Sequence, residues 1–154
     1  MNNHPSLNQL LPHQAPMILI DALIDVGETH VHCRVTAHAD NLFFDKDAQA
    51  IPGWVGIEFM AQTVAVWSGY QAWKDDKQPP IGFLLGSRRY QSELAEFRAG
   101  TVLDIHATHM MESNGMAVFS CRIEHQGQDI ASAQLNAYVP SEEKLQEMIN
   151  RTPK

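Results

Sequence analysis

The stretch that most limits what this chain can fold into is "GIEFMAQTVAVWSGYQAW", residues 56 to 73. Ile57, Phe59, Met60, Ala61, Val64, Ala65, Val66 and Trp67 cover nearly the whole circumference of a helix. A helix that is apolar on every side has to be enclosed by the rest of the chain. "KDDKQPP" ends it, because the residue before a proline is pushed out of helical conformation. Most of what surrounds it reads as strands. Met17 to Val26 is apolar and β-leaning, "VGET" is a turn, and His30 to Val35 alternates polar and apolar with period two. A polar loop, "TAHADNLFFDKDAQA", leads to the helix. Beyond it come Ile81–Leu85, continuing through Arg88–Tyr90, then Val102–Met111, Met116–Glu124 and Ile130–Val139. The turns "ESNG" and "HQGQ" join the last three as antiparallel neighbours. Short helices are expected from Ser6 to Leu11, capped by Ser6 and stopped by Pro12, and from Ser141, with Glu142 and Glu143 in its first turn.

Two strands before one long apolar helix and about four after it define an α+β fold. The economical packing is one antiparallel sheet curled around one central helix. The 154 residues fit a single domain over 1–154, with no repeat or linker to divide it. No apolar run approaches the roughly 18 residues of a membrane span. "MNNHPSLNQLL" lacks a basic cluster followed by an apolar stretch, so no signal peptide is expected. Cys33 and Cys121 lie in strand-like segments without metal-type spacing and read as buried thiols in a reducing, cytoplasmic setting. No metal site and no cofactor are expected. A net charge of −7 argues against nucleic acid, which requires a basic footprint. Five of the eleven Lys and Arg residues (Lys74, Lys77, Arg88, Arg89, Arg98) nevertheless fall between 74 and 98. Such a cluster is either a solvated face or a docking patch for an acidic partner.

Glu58 is the one acid inside the long helix. A carboxyl kept from water suits a general acid, whereas a glutamate at a wet helix N-terminus is merely satisfied by the helix dipole. Gln62 stands one turn along and is the nearest polar group on that stripe, which Ala65 and Gly69 continue. Pro52-Gly53 before the helix leaves N–H groups of Gly53 and Trp54 directed out of its positive end, where they can meet a carbonyl oxygen gaining charge. Among eight histidines, His30 and His32 share a solvated strand face with Arg34 and lack a third metal ligand. His106 and His109 fall on opposite faces of one strand, and His125 sits in a turn. His13, held between two prolines in "LLPHQAP", is either a positioned imidazole or a buried structural one.

"LLPHQAPMILIDALIDV", "NLFF", "PGWVGIEFMAQ" and "GFLLGSRRY" follow one another in an order and spacing that resemble the 3-hydroxyacyl-acyl-carrier-protein dehydratases, over roughly residues 7 to 139. The likeness is to the FabA/FabZ-like branch associated with aryl-polyene pigment pathways. It implies a hotdog fold, a homodimer or heterodimer with the substrate tunnel at the subunit interface, and dehydration of a 3-hydroxyacyl thioester on acyl carrier protein. It also implies that Glu58 is the acid for the departing hydroxyl, that Gly53 and Trp54 polarise the thioester carbonyl, and that Gln62 orients the acid. The family's basic histidine stands in a "G-H-F-P-G" segment, but here that interval is "DKDAQAI". The base is then His13, with His38 as second choice, or else the chain is a non-catalytic partner subunit. A thioesterase is the third possibility, since hotdog proteins also include these. Because the chain is itself acidic, an acidic carrier protein would have to dock on a local patch, and Arg88, Arg89 and Arg98 are the residues expected there. Their guanidinium forks also suit the phosphate of a phosphopantetheine arm.

Overall fold

A computed structural model describes residues 5–11, 18–77 and 83–138. A short helix α1 (Leu7–Leu10) precedes strands β1 (Ala22–Val26) and β2 (His30–Thr36). Strand β3 (Ala50–Pro52) then runs through a 3₁₀ turn (Gly53–Val55) into the long helix α2 (Gly56–Lys74). Strands β4 (Phe83–Ser92), β5 (Glu96–Arg98), β6 (Val102–Ser113), β7 (Met116–His125) and β8 (Gln128–Tyr138) follow. Six strands form one antiparallel sheet in the order β1-β2-β6-β7-β8-β4, and β3 pairs with β5 in a small second sheet.

The period-two alternation supplies the inner face of this sheet. Val31, Cys33 and Val35 of β2, Leu103, Ile105 and Ala107 of β6, Phe119, Cys121 and Ile123 of β7, and Ala133 and Leu135 of β8 are all buried. Against them α2 lays Phe59, Met60, Thr63 and Val66, with Phe59 tilted on Phe97 of β5 at 6.3 Å. Fully burying one such side chain contributes about 1.5–3 kcal/mol, so this seam fixes the helix on the sheet. The hairpin turns are as the sequence implies: Asn114-Gly115 and Gln126-Gly127 all adopt positive φ, the conformation that two-residue hairpin loops need.

Four expectations are corrected. The first strand begins at Ala22 among the described residues, because the Leu19 N–H is taken by Gln62 Oε1 (2.8 Å). Helix α2 is not enclosed all round: Glu58 is exposed and Ala61, Ala65 and Ser68 are half-buried, so one stripe faces outward. The expected stripe of Glu58, Gln62, Ala65 and Gly69 is split, since Gln62 and Gly69 turn inward; a Cβ on Gly69 would lie 2.0 Å from the Leu10 carbonyl of α1. The small β3–β5 sheet went unseen because three residues are too few for a period and one of them is a proline. The helix expected from Ser141, and His13, lie outside the described residues.

Candidate active site

Strand β3 ends with Pro52 in extended conformation, and the 3₁₀ turn of Gly53–Val55 delivers the chain into α2. Beneath this turn Ile51, Val55, Phe59 and Phe97 are fully buried, which anchors it. Above it the side chains are open. Trp54 is 57% exposed and Leu42 48%. Phe43 meets the Trp54 ring edge-on at 5.5 Å, held there by an Asn41 side-chain oxygen that accepts the Phe43 N–H (2.9 Å). So "NLFF" and "PGWVG" meet to form an apolar rim. Glu58, in the first turn of α2, is exposed and makes no hydrogen bond or ion pair among the described residues. It stands four residues after Trp54, about one turn further along.

Two roles expected from the sequence are altered by this geometry. The Gly53 N–H donates to the Ala95 carbonyl (2.8 Å) and is not available to a substrate oxygen. Gly53 is instead required by space: a Cβ there would lie 2.4 Å from the Leu94 carbonyl oxygen. The Trp54 N–H precedes the first helical hydrogen bonds and has no backbone acceptor among the described residues. Gln62 does not orient Glu58; its side-chain oxygen is buried and accepts from Leu19.

Six histidines are described, and none is hydrogen-bonded to Glu58. His30 pairs with Asp25 (2.9 Å), His32 with Asp104 (2.8 Å) and His106 with Glu124 (2.7 Å). The His32 and His106 rings stack at 4.1 Å on the outer face of the sheet, where Arg34 also binds Asp104 and Arg122 binds Glu124 and Asp129. Burial, then the charges of His32 and Arg122, hold His106 below its ordinary pKa despite Glu124. Burial raises the Asp104 pKa, but hydrogen bonds from His32 and Arg34 outweigh it and the net direction is down. The His38 Nδ1 accepts the Asp40 N–H (3.2 Å), which leaves Nε2 as the donor to Asp21 (3.3 Å) and no lone pair for a base. His125 bonds the Val102 carbonyl (3.1 Å). His109 is on the helix side, stacked on Trp67, with a buried Nε2 that has no partner among the described residues. Among the described residues no cluster of His, Cys, Asp and Glu could hold a metal. Burial pushes both cysteine thiols up to about 12.

Arg88 and Arg89 are exposed within β4, an edge strand, and neither has a carboxylate partner among the described residues. Arg98 ends β5, and its Nε is 4.0 Å from Glu96. A cavity of about 410 Å³ opens further along α2, lined by Trp67, Gln71, Phe119 and Ala137 among others, and includes neither Glu58 nor Trp54. Among the described residues no helix is long and apolar enough to cross a membrane.

A six-stranded antiparallel sheet wrapped on one long helix defines a hotdog protein. Residues 5–150 match the family model of ApeP-like proteins, described as ApeP dehydratase, and the chain belongs to that family. It is 28% identical over 145 residues to the 3-hydroxyacyl-[acyl-carrier-protein] dehydratase FabZ of Pseudothermotoga lettingae, covering 92% of this chain and 99% of that one. A structure of the dehydratase heterocomplex ApeI:P from Xenorhabdus doucetiae superposes with a TM-score of 0.87 at 33% identity, over 97% of this chain and 100% of its counterpart. A hypothetical thioesterase from Streptococcus pneumoniae, solved with coenzyme A, shares the fold with a TM-score of 0.61 at 14% identity, covering 77% of this chain and 84% of the other.

Proposed function

We propose that Glu58 is the acid with which this dehydratase expels water from a 3-hydroxyacyl thioester carried on acyl carrier protein. The observation that carries the assignment is an exposed carboxylate in the first turn of α2, one turn beyond Trp54 and without a partner among the described residues, in a chain of the ApeP-like family. A base removes the C2 proton, and the Trp54 N–H donates a hydrogen bond to the thioester oxygen as that oxygen gains charge. Glu58 delivers a proton to the C3 hydroxyl, which leaves as water, and the C2–C3 double bond of a trans-2-enoyl thioester forms. The acyl chain and a second chain close over Glu58 and complete the site. His13 is the base: each described histidine is hydrogen-bonded elsewhere or stacked on the inner side of the sheet, and of the two others, His4 and His13, it is His13 that is held between prolines. Arg88, Arg89 and Arg98 receive the carrier protein and its phosphopantetheine arm. The setting is cytoplasmic, in a fatty-acid-like or aryl-polyene pathway.

The tunnel requires a second hotdog chain, either another copy or a related dehydratase; the heterocomplex ApeI:P is a structure of the latter kind. Incubation of the purified chain with a 3-hydroxyacyl carrier protein tests the reading, alone and with a second hotdog chain. Enoyl product from the chain alone makes it a self-sufficient enzyme. Product only in the mixture, unaffected by Glu58→Gln, would reduce this chain to a non-catalytic subunit. Free thiol without enoyl product would make it a thioesterase.

A further inference from the structure

The turn that presents the Trp54 N–H is gripped by the edge strand. Tyr90 of β4 reaches across, and its hydroxyl donates to the Gly53 carbonyl at 2.6 Å, near the short end for such a bond. The same carbonyl accepts the Gly56 N–H with its other lone pair. On its far side Gly53 donates to Ala95, and the segment around Ala95 is itself braced by Ser92, whose hydroxyl donates to the Leu94 carbonyl at 2.8 Å. Room for the phenol comes from a missing side chain. A Cβ on Gly56 would lie 2.2 Å from the Tyr90 hydroxyl, although Gly56 is in ordinary helical conformation (φ −52, ψ −33) where alanine is the better residue. Glycine there serves space, not backbone freedom.

Strand β4 is deformed to bring the ring in. Its register with β8 shifts between Arg88 and Gln91, and Arg89 takes a φ of +59, a conformation that persists only where the surroundings impose it. The bulge leaves Arg88 and Arg89 exposed while the next side chain, Tyr90, turns inward. Burial pushes the Tyr90 hydroxyl above its ordinary pKa, against a smaller opposing effect of Ser92, so the donor keeps its proton at neutral pH.

The Gly53 C=O and the Trp54 N–H belong to one peptide unit, and a trans peptide is planar with the two groups pointing in opposite directions. Fixing the carbonyl on Tyr90 therefore fixes where the Trp54 N–H points, and Glu58 follows on the same helix. We propose that Tyr90 is a positioning residue for the dehydration: by holding the Gly53 carbonyl it aims the N–H that stabilises the charged thioester oxygen. This rests on the assignment of Trp54 and Glu58 above, and it ties that site to the strand that carries Arg88 and Arg89.

Tyr90→Phe removes only the hydroxyl. The expected result is a kcat lowered about tenfold to a hundredfold, as for a donor left in place but misaimed, with KM for the carrier substrate within about twofold. The thermal midpoint stays close to that of the parent, and amide hydrogen exchange at Trp54, read without substrate, becomes faster. Gly56→Ala displaces the hydroxyl from the other side and gives a similar kcat loss, and the double variant loses little more than either single one. An unchanged kcat, losses that multiply in the double variant, or unchanged exchange at Trp54 would each overturn the proposal. Absence of dehydration by the parent protein, with or without a second hotdog chain, is a failure of the dehydratase reading instead; the exchange rate tells the two apart.

Discussion

The outer face of the sheet and the N-terminal end of α2 are both rich in polar groups, and they treat them in opposite ways. On the sheet, His32, His106, Asp104, Glu124, Arg34, Arg122 and Asp129 form a continuous ladder in which each group has a partner on its own or a neighbouring strand. At the helix end Glu58 has none among the described residues, the Trp54 ring is more than half exposed, and Arg88 and Arg89 have no carboxylate among those residues either. Pairing within the chain completes a structure and leaves nothing for a ligand. Unmet polarity beside exposed aromatic surface is where the proposed site lies. The proposal therefore rests on the isolated acid and not on the abundance of histidine.

The largest effect tests the helix end directly. Glu58→Gln preserves size and hydrogen bonding and leaves the fold intact, yet it lowers turnover at least about a hundredfold, the low end for loss of a general acid. Near-normal rates would make Glu58 a surface residue of the same kind as the ladder. His13→Ala is expected to lose activity by a similar factor, with stability changed by less than about 1 kcal/mol. An active His13→Ala variant would move the base elsewhere, to the second chain.

Much of this division was legible in the residues. Period-two strands, positive-φ turn residues and one long apolar helix announced the wrapped sheet, because each of those patterns is set by the chain's own burial. The placing of Glu58 in the first turn of α2 was legible for the same reason, as the acid that breaks an apolar pattern. What escaped were features that depend on spatial neighbours. Gly53 looks like a donor in sequence, but its N–H is claimed by Ala95, some forty residues on. Gln62 stands a turn from Glu58, yet it is turned toward Leu19. Tyr90 carries no signal beyond following two arginines, since its role comes from a strand bulge and a glycine opposite it.

A smaller effect is expected at the arginines. Replacing both by Arg88→Glu with Arg89→Glu raises KM for a carrier-protein substrate about tenfold, as expected for lost electrostatic docking, while a small thioester mimic is turned over nearly as before. The salt dependence of the carrier reaction flattens, because the attraction being screened is gone. Equal losses on both substrates would mean that the edge strand supports the site, as Tyr90 does, without receiving the carrier.

The smallest effect is expected in the ladder, and it is on stability alone. Burial holds His106 below its ordinary pKa in the folded chain, so at mildly acidic pH the unfolded chain binds a proton that the folded one resists. The contribution of His106 is complete above the ordinary imidazole value of 6.5 and is lost as pH falls through the depressed folded value. Asp104, also lowered from the ordinary carboxyl value of 3.8, adds a second loss at more acidic pH, below the range of the imidazole. His106→Gln keeps a donor for Glu124 but cannot titrate. Its unfolding midpoint in urea should therefore vary less between pH 7.5 and pH 5 than that of the parent, while dehydration at pH 7.5 is unchanged. Turnover falling in His106→Gln as far as in Glu58→Gln would dissolve the contrast between the two regions, since the ladder would then take part in the chemistry.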